Sequence, residues 1–333
     1  MKLYRGTVFE GSAGRRLRIG LSFRVRWVLD DEGEPCPEDL ATGFIPDLDR
    51  EVTVISIRET VAGHVGQSLG GLLLRFVKAF QDKTQLPDAG SRYMSMQLIS
   101  EDQYTPPAIY EPGPHTLTKD GIGTRYVLTG VRTLLDPADP ADVAKARALQ
   151  DAIKVEQPGG SGMFQVPKWD PVSQKKIREA LLVLATTVTD TSRAFGTKDQ
   201  VDPVQRLIGA ASAWGANPPR DATYLNFVPE KNDGRTVYKM TIGEVPVDGF
   251  WSISLYNADG YFQKNDLNAY SLNYVTAKKN ADGSAAIQFG GCDGQIPNCL
   301  PTMPGWNYMV RLYRPRAEIL NGTWKFPEAQ AVN

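Results

Sequence analysis

Tyrosine, asparagine and serine side chains near strand ends in the last third of the chain are the residues best suited to bind a ligand. They are Tyr256, Asn257, Asn268, Tyr270 and Ser271. Tyrosine rings stack on flat polar groups and asparagine amides hydrogen-bond to them, which is how proteins recognise sugars and other polar rings. Loops at strand ends also carry function in many β-sandwich proteins. The alternative for Asn257 and Asn268 is a structural role as turn residues.

Arginines on two strands form a second set of candidates. Arg311 precedes Tyr313 on one strand, and Arg125 lies on an earlier strand. An arginine in such a position either pairs with a carboxylate or clamps an anion, and the spacing does not decide between these roles. The sequence therefore predicts ligand-binding residues but assigns no catalytic residue.

Cys292 and Cys299 enclose a loop rich in glycine and proline. Their separation permits a disulfide, which would require an oxidising compartment. Free thiols and a metal site are the alternatives, although zinc would need two further ligands. The remaining candidates Cys36, His64 and His115 are distant in sequence. We predict a candidate disulfide and no metal site.

Signatures of a known reaction or cofactor are weak. No Walker loop occurs, and no group of histidines and carboxylates has the spacing of metal ligands. His115 follows a Pro-Gly-Pro turn and is either a general base or a structural turn residue. The sequence predicts no cofactor and leaves open whether the protein is an enzyme.

The overall charge and hydropathy exclude some classes of partner. The net charge of the 333 residues is −1, so no general field attracts nucleic acid, and no nucleic-acid partner is predicted. No apolar run is long enough for a transmembrane helix. The first 20 residues lack the apolar core of a signal peptide, which indicates a cytoplasmic protein as the chain is written.

Residues 1–84 differ in pattern from the rest of the chain. Alternating segments at Leu17–Trp27 and Val52–Ile57 predict strands, and apolar residues at helical spacing predict one helix over Val61–Phe80. A polar linker with proline and glycine is expected at Gln81–Gly90. We expect a small α/β N-terminal segment.

Three Asp-Pro pairs predict the starts of three helices, at Asp139, Asp170 and Asp202. Aspartate is a favoured N-cap, and proline suits the first helical position. These helices form a predicted connector, residues 137–216, between two β regions at 85–136 and 217–333.

The pattern of the C-terminal region predicts several short strands separated by turns. Its strongest strand ends at Tyr256, with Trp251, Ile253 and Leu255 facing a core and the alternate residues facing the other way. Many short strands of this kind predict a β-sandwich or jelly roll. The predicted fold class is therefore mainly β, with two lobes and a helical connector.

Several ordered blocks of residues resemble a known bacterial pair of domains. The C-terminal blocks resemble the domain of unknown function 1214, and two earlier blocks resemble the second half of its usual partner, the domain of unknown function 1254. The C-terminal blocks are Val245–Tyr261, Asn268–Leu272, Pro304–Trp306, Val310–Pro315 and Ile319–Lys325, and the earlier blocks are Leu86–Gln97 and Gly123–Leu128. The resemblance covers about residues 85–333. It implies a two-lobed β arrangement and relatives that are often periplasmic or secreted, with no agreed reaction.

The chain departs from this family before the turn at Leu86. Residues 1–84 do not match, and the Asn-Arg-Asp-Thr-Leu-Tyr-type segment usual in the family does not precede that turn. The resemblance therefore implies an incomplete first lobe and an N-terminal segment that is a replacement, a fusion or a misassigned reading frame. It also leaves localisation undecided.

The sequence is compatible with three classes of function. We favour binding of a small polar molecule or glycan in a β-sandwich pocket. The alternatives are a hydrolase or lyase that uses Asp, Glu, Tyr or Arg as acid–base groups, and a structural or interaction protein of the cell envelope. Self-association as a homo-oligomer stays open.

Overall fold

The computed structural model describes residues 80–156, 169–188 and 190–332, together with four strands before them, at Val8–Glu10, Arg16–Arg18, Ile57–Glu59 and Gly71–Lys78. The chain divides into two compact units. The N-terminal unit contains Leu72–Thr133 and Arg147–Pro218, and the C-terminal unit contains Leu134–Ala146 and Pro219–Asn333. Both units are built mainly from β-strands.

The elements of the described residues have the following bounds in chain order. The strands are β1 (Val8–Glu10), β2 (Arg16–Arg18), β3 (Ile57–Glu59), β4 (Gly71–Lys78), β5 (Phe80–Leu86), β6 (Met94–Ser100), β7 (Gly113–Thr118), β8 (Tyr126–Thr133), β9 (Lys154–Glu156), β10 (Ala222–Phe227), β11 (Tyr238–Ile242), β12 (Trp251–Tyr256), β13 (Ser271–Asn273), β14 (Ala285–Phe289), β15 (Cys299–Leu300), β16 (Asn307–Tyr313) and β17 (Gln330–Ala331). The helices are α1 (Lys119–Ile122), α2 (Pro140–Ala152), α3 (Pro171–Ala185), α4 (Pro203–Ser212) and α5 (Ala317–Leu320).

Two sheets share one core in the N-terminal unit. The first has the strand order β3-β4-β8-β6, and the second has the order β7-β5-β9. Met96 and Val131 from the first sheet and Leu86 and Leu117 from the second belong to the same buried apolar cluster. The two sheets therefore pack face to face.

The C-terminal unit is a sandwich of two four-stranded sheets, with the orders β10-β16-β12-β13 and β15-β14-β11-β17. Alternate residues of each strand point to opposite faces, so one face of each sheet is available to the core. Ile253 and Val310 are register partners in the first sheet, and Met240 and Ile287 are register partners in the second. All four are buried in one cluster. The predicted sandwich is confirmed for this unit.

Aromatic rings fill much of the C-terminal core. Phe289 lies 5.2 Å from Trp306 and 4.9 Å from Tyr308, measured between ring centroids. Burial of a large apolar side chain stabilises a fold by roughly 1.5–3 kcal/mol, so this cluster is a major source of the stability of the sandwich.

The three Asp-Pro signals mark the starts of α2, α3 and α4. Asp139 accepts a hydrogen bond from the backbone of Ala141, while Asp170 and Asp202 are the N-caps of α3 and α4. Proline occupies the first position of each helix. All three predicted helix starts are confirmed.

The apolar side chains of α3 do not enter a core, because no residue of this helix is buried. Ile177 is 57% exposed and Leu184 is 50% exposed. No helix among the described residues is long and apolar enough to cross a membrane.

Two predictions for the N-terminal segment are wrong. Gly71–Lys78, assigned to the helix Val61–Phe80, is strand β4, and the linker predicted at Gln81–Gly90 contains most of strand β5. The run of apolar residues from Leu72 fits a buried strand as well as a helix, because periodicity does not separate the two over so few residues. Strands Arg16–Arg18 and Ile57–Glu59 overlap only one end of each of the two predicted strands. Their other residues, residues 61–70, Cys36 and His64 lie outside the described residues.

Candidate functional site

Polar side chains collect on the outer face of the sheet β10-β16-β12-β13, on the side away from the core. Register places Ser252 directly opposite Arg311 of β16 and opposite Asn273 of β13. Ser254 is the register partner of Ser271. We call Ser252, Ser254, Tyr256, Ser271 and Arg311 the arginine cluster.

Arg311 is the centre of the arginine cluster. Its Nη1 donates a hydrogen bond to Ser254 Oγ at 2.8 Å, and its Nη2 donates one to the hydroxyl of Tyr256 at 2.7 Å. Both acceptors are neutral, and no carboxylate of the described residues forms an ion pair with this guanidinium. A guanidinium has five N–H donors, so the side chain keeps donors beyond these two bonds.

The environment of Arg311 holds it in the charged form. Burial, the largest single effect, lowers the pKa of Arg311. The negative charges that Tyr256, Tyr313 and Tyr224 acquire at high pH, together with the hydrogen bond to Tyr256, raise that pKa above its ordinary value. Tyr224 reaches this position because it is the register partner of Arg311 on β10. The cation is therefore permanent, and oxygen-rich side chains surround it.

Two serine hydroxyls in the arginine cluster have no hydrogen-bond partner. Ser252 is fully buried and Ser271 is 7% exposed, and neither Oγ is paired. An unpaired buried hydroxyl costs about 1–3 kcal/mol, because it has lost its water without gaining a partner. Such hydroxyls are suited to accept or donate a hydrogen bond to a small molecule or a water.

Aromatic rings line one side of the arginine cluster. Phe262 stacks on Tyr256 with ring centroids 4.9 Å apart, and it lies 5.7 Å from Tyr270. Tyr313, on the same face as Arg311, is buried and stacks on Phe250 at 4.3 Å. These contacts fix the rings and give the half-buried Tyr256 a defined orientation.

The structure brings five of the eight sequence-predicted ligand residues to this region. They are Tyr256, Tyr270, Ser271, Arg311 and Tyr313. Their role as ligand contacts stays a prediction.

The other three predicted ligand residues have local structural contacts. The side-chain oxygen of Asn257 accepts hydrogen bonds from the backbone of Asp259 and Tyr261, as in a turn. Asn268 has a positive φ of 50°, and its side-chain oxygen accepts a bond from the Tyr270 hydroxyl. Arg125 lies in the N-terminal unit, with its guanidinium carbon 5.1 Å from the centroid of the Tyr126 ring.

Cys292 and Cys299 form a disulfide, with their Cα atoms 5.7 Å apart. Cys299 belongs to β15, which pairs in parallel with β14 at Gln288. The bridge therefore ties the loop of residues 290–298 to the edge of the second sheet.

His115 has a local contact as well. It lies on β7, and its Nε2 donates a hydrogen bond to the carbonyl oxygen of Glu111, before that strand, at 2.8 Å. Among the described residues, no group of three or more His, Cys, Asp or Glu side chains could hold a metal ion.

Sequence reasoning missed several members of the outer face. The sequence pattern places Ser252 and Ser254 only on a strand face, and it does not single out Tyr224 or Phe262. The sequence of β12 contains a signal for the two serines, because they alternate with large apolar residues in a strand that is buried almost throughout. Serines on such a strand face a second protein layer or a ligand rather than bulk water.

A further pattern concerns nucleophilic catalysis. Residues 66–70 read Gly-Gln-Ser-Leu-Gly, which fits the Gly-x-Ser-x-Gly pattern of a nucleophile elbow. That elbow requires a helix directly after the serine turn. Residues 66–70 lie outside the described residues, and the segment that follows them is strand β4 rather than a helix. The pattern therefore assigns no nucleophile.

Residues 227–317 match the model of a family described as "Protein of unknown function (DUF1214)". This match confirms the resemblance of the C-terminal region over those residues, and it does not extend to residues 1–84. Resemblance of the earlier blocks to the domain of unknown function 1254 stays a prediction. Comparison with curated protein sequences gives no match.

Two solved structures of bacterial proteins are similar to this chain. The VPA0106 protein from Vibrio parahaemolyticus has a TM-score of 0.64 and 19% identity, over 81% of this chain and 90% of that one. An uncharacterised protein from Burkholderia cenocepacia has a TM-score of 0.47 and 12% identity, over 84% of this chain and 81% of that one. The likeness to the Vibrio protein shows that the fold is shared.

Proposed function

We propose that the C-terminal unit binds a small polar molecule, or a glycan, that carries an acidic group on the face around Arg311. The observation that carries this proposal is a half-buried cation whose hydrogen bonds go to the neutral hydroxyls of Ser254 and Tyr256. A guanidinium without a carboxylate partner retains its full attraction for an anion, and its planar fork suits carboxylate and phosphate groups.

Four members of the arginine cluster contact the ligand in this proposal. Arg311 contacts the acidic group of the ligand. Tyr256, held by its stack on Phe262, offers the edge or face of a ring to the body of the ligand. Ser271 and Ser252 supply hydroxyls that have no other partner, and they would bond to the ligand directly or through a bound water.

The test is a thermal-shift and calorimetric screen of the purified chain against sugars, sugar acids, organic acids and nucleotides. A ligand present at about 100 times its Kd should stabilise the fold by about 2.7 kcal/mol, which raises the melting temperature by several degrees. The hit should bind at least tenfold more weakly to Arg311→Gln. Arg311→Lys should also bind more weakly, because it keeps the charge but loses the fork.

The matched control is Lys278→Gln, which removes one exposed cation from the same unit. This variant should bind the hit with unchanged affinity. The proposal fails if no compound shifts a cooperative melt, or if Arg311→Gln binds the hit as tightly as the original chain. The first outcome would favour the alternative of a structural or interaction protein.

We also infer that the protein functions in an oxidising compartment, with jelly-roll connectivity in its β lobes. The disulfide between Cys292 and Cys299 supports export, because such bonds persist mainly outside the cytosol. The resemblance to a family whose members are often exported also supports an oxidising compartment.

A further inference from the structure

A basic groove lies on the second sheet of the C-terminal unit, away from the arginine cluster. Its volume is about 580 Å³, which is within the usual range for small-molecule sites. Lys231, Arg235 and Lys239 line it, together with the apolar side chains of Val237, Ala331 and Val332. No acidic side chain is among its lining residues.

Hydrogen bonds and strand structure fix the backbone that carries the groove. The backbone N–H of Lys231 donates to the hydroxyl of the buried Tyr238 at 2.9 Å, which fixes the turn before β11. Lys239 is exposed on β11 between the core residues Tyr238 and Met240, so it projects from the outer face of the sheet. The backbone N–H of Val332 donates to the carbonyl oxygen of Val237 at 2.8 Å, which holds the C-terminal segment along the groove.

The three cations are not neutralised by ion pairs with other described residues. Asp233 is the acidic residue of the same turn, and its carboxylate accepts hydrogen bonds from the backbone of Arg235 and from both the backbone and the hydroxyl of Thr236. Those bonds, with a smaller contribution from the charge of Arg235, lower the pKa of Asp233, so this carboxylate is ionised at neutral pH. It offsets part of one positive charge, and the groove remains net positive in a chain whose net charge is −1.

Like charges held close together repel each other, and an anion that bridges them removes that repulsion. Lys239 is four positions after Arg235, so their backbones are at most about 14 Å apart and within reach of one extended small molecule. One small anion carries less charge than the three cations together, whereas a molecule with several anionic groups can offset all three. Val237, Ala331 and Val332 add apolar contact for its scaffold.

We propose that this groove binds a small molecule with two or more anionic groups, such as an oligophosphate or a polycarboxylate. Arg235 supplies a planar fork for one anionic group, and the two lysines act as point charges for the others. The site is independent of the arginine cluster, because its residues belong to the loop before β11, to the other sheet and to the C-terminal segment.

Calorimetric titration of the full chain tests the proposal with three probes: tripolyphosphate, citrate and inorganic phosphate. We expect tripolyphosphate or citrate to bind at least tenfold more tightly than inorganic phosphate at low salt. Comparison of the first two probes tells whether the ligand class is phosphate or carboxylate. The affinity should fall steeply when sodium chloride is raised to about 0.5 M, because the attraction is between exposed charges.

Two triple variants with the same loss of charge separate a site from a general charge effect. Lys231→Gln/Arg235→Gln/Lys239→Gln should weaken binding of the better probe at least tenfold. Lys264→Gln/Lys278→Gln/Lys325→Gln, which removes three exposed cations elsewhere on the unit, should change it less than twofold. Equal weakening by both variants, equal affinity for inorganic phosphate, or no binding of any probe would overturn the proposal.

Discussion

At the scale of single residues, Arg311 combines burial with an uncompensated charge. Taking a cation partly out of water costs free energy unless neighbouring groups replace the lost solvation. Ser254 and Tyr256 do so here through two charge-assisted hydrogen bonds. The arginine is thereby held in place while its charge remains available.

Tyr256→Phe tests whether the hydroxyl of Tyr256 holds Arg311. The variant keeps the ring that stacks on Phe262 but loses the acceptor, so we expect the free energy of unfolding to fall by about 1.5 kcal/mol. Urea denaturation measures this change. Tyr261→Phe is the control, because the hydroxyl of Tyr261 makes no hydrogen bond in the described part of the chain, and it should change stability by less than about 0.5 kcal/mol. Equal effects of the two changes would contradict the assigned bond.

Because the phenol of Tyr308 is buried, we expect the free energy of unfolding to fall at high pH. Burial raises its pKa to about 12 from the ordinary 10.0; the N–H of Ala329 opposes this shift and the charge of Glu328 reinforces it. The folded state therefore holds this proton when the unfolded state has released it. The resulting stabilisation is complete below pH 10 and disappears as the pH rises through 12, a change of about 2.7 kcal/mol.

Unfolding free energies of the original chain and of Tyr308→Phe, measured from pH 8 to pH 12, check that expectation. The other tyrosines titrate in both proteins, so they cancel in the difference. The difference should shrink above pH 10. A difference that stays constant across this range would mean that Tyr308 titrates normally in the folded protein.

Residue types allowed part of the arginine cluster to be predicted. Arg311, Tyr256 and Ser271 were candidates because their side chains can bind polar ligands near strand ends. Their arrangement around Arg311 depends on strand register, since Ser252 and Tyr224 meet Arg311 only when β12 and β10 pair with β16. No local pattern carries that information.

At the scale of elements, the Asp-Pro pairs predicted the helix starts correctly, whereas apolar periodicity wrongly predicted a helix in place of β4. An N-cap aspartate accepts hydrogen bonds from free N–H groups of the first turn, and proline has no N–H at that position, so the pair favours a helix start through local contacts alone. The apolar run from Leu72 has no such marker, and neighbouring strands decide its conformation. Strand β13 and the two-residue strands β15 and β17 are too short to leave any periodic signal.

Asp202→Ala tests the cap of α4. The aspartate accepts hydrogen bonds from the backbone of Val204 and Gln205, at 2.9 and 3.0 Å. Its loss should lower the free energy of unfolding by about 1 kcal/mol, measured by urea denaturation. Asp202→Ser keeps an acceptor at the cap and should lose much less. A serine variant as unstable as the alanine variant would show that the cap is not the cause.

At the scale of the whole molecule, the state of the cysteines reports the compartment in which the protein folds. The chain has three cysteines, and two of them form the disulfide. Protein isolated from its native cells with an alkylating agent present should therefore carry at most one labelled thiol per chain, as counted by mass spectrometry. After reduction it should carry three. Three labels without reduction would contradict export and the proposed oxidising compartment.

The lengths of the strands at the ends of the two C-terminal sheets differ greatly. Strands β13, β15 and β17 have two or three residues each, whereas β10 has six and pairs with β16 alone among the described strands. A short edge strand offers few free backbone groups to a second chain, while a long uncharged one is a template for it. Aggregation during concentration or storage should therefore begin along Ala222–Phe227. A lysine in place of the exposed Asn226 would be the simplest way to make the protein more soluble.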